Sequence, residues 1–185
     1  MRIKVLHLLS FMLIFSACNG QQSKKAETGD TKERTFEMVS VPSVITKPEE
    51  RAAYLVTHYW DKFDFTDTAL VHLPEITEQA ASNYIDMMKY VPSATAASSI
   101  KNMMNKAAVD STMFAYFAGL YEKYLYDPNS PMRDESLYIP VLEAILEAPV
   151  FDEVHKVRPA HLLEVGKEIG FLLGFIQETE LFVDE

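Results

Sequence analysis

Two short stretches gather the side chains best suited to act on, or hold, another molecule. Residues 58–67 read HYWDKFDFTD and interleave aromatic rings with carboxylates. Trp60 beside Asp61 and Asp64 is a combination that stacks on a sugar ring or holds a cation. The same residues also suit a plainer role, with Tyr59, Trp60 and Phe63 in a core while Asp64 and Asp67 cap turns. Residues 124–135 read YLYDPNSPMRDE, a run dense in turn formers. Here Asp127, Asn129 and Arg133 are the candidates for a ligand or partner surface. Arg133 among several carboxylates suits a bidentate ion pair that fixes the loop. The loop is either one wall of a pocket or a clamp between two helices.

No arrangement of catalytic residues stands out. His58, His72, His155 and His161 show neither HxxxH nor HExxH spacing, so no metal site is expected. Six glycines leave no phosphate-cradling loop, there is no GxSxG elbow, and no cofactor is expected. Carboxylates are plentiful, but their order along the chain does not pair them for glycoside hydrolysis. The expectation is a non-enzymatic chain. A formal charge of −10, from 17 Lys+Arg against 27 Asp+Glu, argues against nucleic acid as a partner. A single Cys excludes an internal disulfide and a CxxC redox centre within these 185 residues.

That Cys is informative by its position. Arg2 and Lys4 precede an apolar run from Val5 to Phe15, then Ser16-Ala17, then Cys18. This is the layout of a secretory signal over 1–17, and its end resembles a bacterial lipobox, although Phe15 stands where Leu is commonest. The resemblance implies lipidation at Cys18 and anchoring in a membrane through acyl chains. The plainer alternative is an ordinary signal peptide with an incidental Cys. Losing Arg2 and Lys4 with the signal takes the formal charge from −10 to −12. Residues 18–46 then read as a flexible tether, polar at first and more apolar from Phe36 to Val44, where an extended strap along the body is expected. The residues after Cys18 lack the acidic run that resembles a surface-export signal, which favours the outer membrane facing the periplasm.

The elements that must position these residues read as helices. Thr46-Lys-Pro-Glu49 offers a capping box, and Ala52, Val56, Tyr59, Trp60 and Phe63 share one helical face. A second helix is expected over Glu75–Val91, and a third after Pro92 carries Ile100, Met103, Met104 and Ala107. Asp110 caps a fourth, and Asp134 or Ser136 opens a fifth that contains Pro140. A sixth is expected to start near Arg158-Pro159. No stretch alternates with period two, so the fold class is all-α, a compact bundle of about six helices. The body is expected over 47–165, with a divergent tail over 166–185.

Residues 51–70, RAAYLVTHYWDKFDFTDTAL, and 124–146, YLYDPNSPMRDESLYIPVLEAIL, are similar to an uncharacterised helical family of Bacteroidetes lipoproteins that usually precedes a thioredoxin-like domain. The resemblance covers about Pro48 to Arg158. It implies a helical cell-envelope module coupled to a thioredoxin-like partner, and no catalytic residue within the helical part. A binding protein for glycan or peptide is the alternative. After Lys156-Val-Arg-Pro159 the sequence departs from the family pattern, and Gly166, Gly170 and Gly174 recur every four residues. The expectation there is a reading frame truncated or shifted near 164–170.

Overall fold

A computed structural model describes residues 34–181, with side chains described as far as Glu168. The signal, Cys18 and the first part of the tether lie outside the described residues. Within them the chain is all-α, with six α-helices and no strand. The compact unit begins at Arg34 rather than at 47, because the strap expected from Phe36 onward lies against the body.

The helices are α1 Pro48–His58, α2 Thr77–Met87, α3 Ser93–Ala107, α4 Ser111–Tyr121, α5 Glu135–Glu147 and α6 Glu153–Leu181. Short 3-10 turns at Thr68–His72 and Met88–Tyr90 join the early helices, and a π turn, Glu122–Tyr126, ends α4. Two caps fall where their residue types place them. The Asp110 side chain accepts from the N–H groups of Thr112 and Met113 at 2.8 and 3.0 Å, and Asp134 does the same for Ser136 and Leu137. Helix α2 spans Thr77–Met87 within the expected 75–91, and two further helix starts differ from expectation. Lys47, not Thr46, is the N-cap of α1 and makes no side-chain cap bond, so Pro48 at the first helical position sets the entry instead. Helix α6 begins at Glu153, six residues before Pro159, because Asp152 accepts from the His155 N–H at 3.0 Å and starts the helix upstream.

Helix α3 is central, packing on α1, α4 and most heavily on α5, which in turn carries α6. Its buried positions Ala96, Ser99, Ile100, Met103, Met104 and Ala107 repeat at three and four residues. Against them lie Phe114, Phe117, Tyr121, Leu125 and Val141, each almost fully buried. The Tyr121 hydroxyl donates to the Met103 sulfur at 3.5 Å, and Met103, Met104 and Met113 are all buried in this core.

Buried hydroxyls are paired across helices. The Ser99 Oγ donates to the Val56 carbonyl at 2.7 Å and lies 2.5 Å from the Tyr84 hydroxyl. A serine has one proton to give, so Tyr84 must be the donor in the second bond. The result is a relay from α2 through α3 to α1. The Tyr59 hydroxyl donates to the Ala80 carbonyl at 3.1 Å, and Thr77 Oγ1 to the Leu70 carbonyl at 2.9 Å. Burial pushes the Tyr59 phenol up to about 12, and Tyr84, Tyr121 and Tyr138 are raised for the same reason.

Two glycines sit inside helices without a packing reason. A Cβ at Gly119 in α4 would meet nothing within 4 Å, and one at Gly166 in α6 would lie 4.0 Å from Ile139 Cγ1, an ordinary contact. Close approach of α5 and α6 therefore does not depend on Gly166. Gly119→Ala and Gly166→Ala are each expected to stabilise the fold by about 0.5–1 kcal/mol in urea titrations, because alanine gives up less backbone freedom on entering a helix.

Candidate functional site

The segment 58–67 leaves α1 and folds into consecutive turns. Asp61 N–H donates to the His58 carbonyl, Phe63 N–H to Trp60, and Asp67 N–H to Asp64. These turns point Tyr59, Trp60, Phe63 and Phe65 inward. Trp60 is 3% exposed. Its ring meets Phe63, Phe117 and Tyr59 edge-on at 5.2 Å each, and Tyr84 at 5.6 Å. With Phe36 in place it packs as a core residue and offers no open face for a sugar to stack on, contrary to the reading of Trp60 as an exposed contact residue. Its Nε1 proton is buried without an acceptor among the described residues.

The carboxylates of this segment serve turns and neighbouring elements. Asp61 receives the Lys106 ammonium at 2.6 Å and lies 2.7 Å from His58 Nδ1, tying the exit of α1 to the end of α3. Asp64 accepts from the Thr66 N–H at 3.0 Å and the Thr66 hydroxyl at 2.6 Å. Asp67 accepts from the Ala69 N–H at 3.2 Å and from Arg34 Nε at 2.6 Å.

Arg34 belongs to the strap, and the strap completes this surface as a lip. Phe36 is half-buried, its ring 4.8 Å from Tyr59, 5.4 Å from Trp60 and 6.4 Å from Phe63. Glu37 accepts from Lys62. The sequence marked Phe36 as the start of a strap but did not join it, Arg34, Glu37 or Lys62 to this lip. The available signal was an aromatic residue between Arg34 and Glu37 at the head of the more apolar stretch. Phe36 is only partly buried, and exposed ion pairs such as Arg34 with Asp67 and Lys62 with Glu37 add little.

The second segment is built on the π turn. Its wide closure is the bond from the Asp127 N–H to the Glu122 carbonyl at 3.0 Å. The carbonyls left over at this helix end are taken by the loop itself: Ser130 Oγ donates to Tyr124 at 2.5 Å and the Asp134 N–H to Leu125 at 3.0 Å. Asp127 accepts from the Asn129 N–H at 2.8 Å and from its side-chain amide at 3.2 Å. Arg133 pairs with Glu135, its neighbour two residues on. The loop is a clamp, tied into α4 at one end and capping α5 at the other.

Grooves flank this clamp. One of about 360 Å³ runs between it and the α2–α3 corner, with Ile85, Met88 and Leu137 among its apolar walls and Lys89 and Arg133 among its charged ones. A second of similar size lies against Tyr126, Pro128 and Arg158. A third, of about 230 Å³, includes Asp127 and Asn129. The candidates therefore separate: Asp61 and Asp64 serve the lip, Asp127, Asn129 and Arg133 serve the clamp, and Trp60 is interior. Among the described residues no group of three His, Cys, Asp or Glu is placed to hold a metal ion, and no helix is long and apolar enough to cross a membrane.

Hydrogen bonds from cationic and neutral donors hold several carboxyls below their usual range. Lys106 does so for Asp61, Arg34 for Asp67, Lys123 for Glu78 and Lys101 for Glu143. A carboxyl depressed in the folded state adds stability above its unfolded pKa and loses that contribution as pH falls through the folded value. Stability measured by urea titration is therefore expected to be level above about pH 5 and to decline below about pH 4. A decline that began near pH 6 would contradict this assignment to carboxyls.

Residues 17–168 match the model of a family described as a domain of unknown function, DUF5106. A solved crystal structure of a thioredoxin-like protein from Bacteroides caccae is similar at 48% sequence identity over 72% of this chain, with a TM-score of 0.70. This chain spans 48% of that protein's length. Among curated proteins none matches.

Proposed function

We propose, from the premise that the chain belongs to the DUF5106 family, that it is a non-catalytic helical module of the cell envelope that positions a thioredoxin-like partner. The observation that carries this reading is the 48% identical relative, thioredoxin-like and about twice the matched length, set beside a chain whose one Cys is Cys18. Dithiol exchange needs an attacking and a resolving sulfur, so the chemistry would lie with the partner and the helical body would hold it in place. Lipid at Cys18 would anchor the pair, at the outer membrane facing the periplasm. The net negative charge gives the body no electrostatic attraction of its own to anionic lipid.

Two measurements test this. The purified chain is expected to show no turnover of insulin disulfides above the rate of the dithiol reductant alone; turnover that persists in a chain lacking residues 1–18 would sink the reading. Cys18→Ser is expected to move the protein from the membrane to the soluble fraction and to abolish labelling by radioactive palmitate, with the helical circular dichroism unchanged.

The groove between the clamp and the α2–α3 corner favours a second reading, a binding module for glycan or peptide. Its apolar walls with Lys89 and Arg133 suit a ligand of mixed polarity. Binding lost in Arg133→Ala, with thermal stability retained, would favour it over the first.

A further inference from the structure

The lip at residues 59–67 is already occupied by a segment of this same chain. Within four strap residues, three unlike side chains meet three unlike groups. Arg34 donates to Asp67 at 2.6 Å, Phe36 enters beside Tyr59 and Trp60, and Glu37 accepts from Lys62. The strap has no regular secondary structure. Among the described residues its backbone makes one backbone hydrogen bond, Ile45 N–H to the Pro42 carbonyl, and none to the lip. Attachment to the lip is therefore by side chains, in the order basic, any, aromatic, acidic; further along, the Ile45 carbonyl accepts from the Arg51 guanidinium of α1 at 2.8 Å.

The lip is also held by contacts that do not involve the strap. Trp60 and Phe63 pack on Phe117 at 5.2 and 5.8 Å, and Asp61 ties the segment to Lys106, all without strap atoms. An aromatic surface with an acid at one end and a base at the other, covered by a segment that makes no backbone hydrogen bond to it, has the makings of a receptor filled by its own ligand. We propose that residues 59–67 form a peptide-binding surface that the chain keeps closed with its residues 34–37. An extended segment of the same pattern, basic–any–aromatic–acidic, takes their place. The inference does not rest on the cell-envelope reading.

The test uses the full chain and a fluorescein-labelled peptide, RTFEMVSV, which repeats residues 34–41. In the wild type the attached strap competes at an effective concentration of order millimolar, so binding is weak. Phe36→Ala should bind the peptide at least tenfold more tightly, and unlabelled peptide should shift the emission of Trp60, the chain's one tryptophan. A peptide with Ala in place of its Phe should do neither. The double variant Arg34→Ala/Glu37→Ala, which alters only exposed side chains, should also bind more tightly than the wild type. Equal affinity in the wild type and both variants overturns the proposal. So does loss of cooperative unfolding in Phe36→Ala, which would make the strap an integral part of the core.

Discussion

Trp60→Ala is expected to lower folding stability by about 3–5 kcal/mol, the largest effect of any single change considered. The indole is enclosed by Phe36, Tyr59, Phe63, Phe65, Tyr84 and Phe117. Truncation removes the transfer energy of the ring and leaves a cavity bounded by stiff aromatic neighbours, which cannot collapse to fill it. For a body of this size the melting midpoint should fall by roughly 6–20 °C. Trp60→Phe should cost much less, since it keeps most of the volume and removes an indole N–H that has no acceptor among the described residues. Guanidinium titrations of the two variants check both statements. A Trp60→Ala protein as stable as the wild type would return this residue to the surface.

Ser99→Ala is expected to cost about 1–3 kcal/mol although it deletes a single oxygen. The hydroxyl is the middle of the relay, so its loss strips the Tyr84 hydroxyl of its acceptor and the Val56 carbonyl of a donor, both in the interior. Tyr84→Phe alone should cost about 1 kcal/mol, because Ser99 still reaches Val56. The double variant Ser99→Ala/Tyr84→Phe should cost less than the sum of the two, since the stranded hydroxyl is then absent. A double-mutant cycle in urea measures that shortfall. Strict additivity would mean the relay holds together no better than its separate bonds.

The bundle was legible where a residue type has one local use. Asp110 and Asp134 fall just before apolar helical repeats, and both cap as expected. The stripe along α3 could be read directly from its period. The start of α6 was obscured because Pro159 suits a first helical turn so well. The true start depends on Asp152, whose cap role is marked by no Glu or Gln three residues on. The site was less legible, for a physical reason: aromatic rings beside carboxylates look alike whether the rings face in or out. The period did hold the answer, since Trp60 shares the face of Val56 and Tyr59, both buried. The strap's pairing could not be read, because Arg34 and Asp67 are joined only by tertiary structure. Nothing in Glu-Lys-Tyr-Leu-Tyr distinguishes a π turn from an α one.

That turn makes the residue count between Tyr121 and Asp127 a matter of rotation. Each residue of an α-helix turns the chain by about 100°, and the π turn absorbs one residue beyond an α path. Deleting one position there would return the segment to α geometry while swinging the following side chains by about 100°. Leu125, fully buried now, would lose its place in the core. Tyr126 would lose its stacked contact with Tyr138, now at 5.3 Å. The carbonyls of Tyr124 and Leu125 would turn away from Ser130 and Asp134. Length variation among descendants of this chain should therefore be absent from 121–127 and tolerated at the exposed connection around Val109.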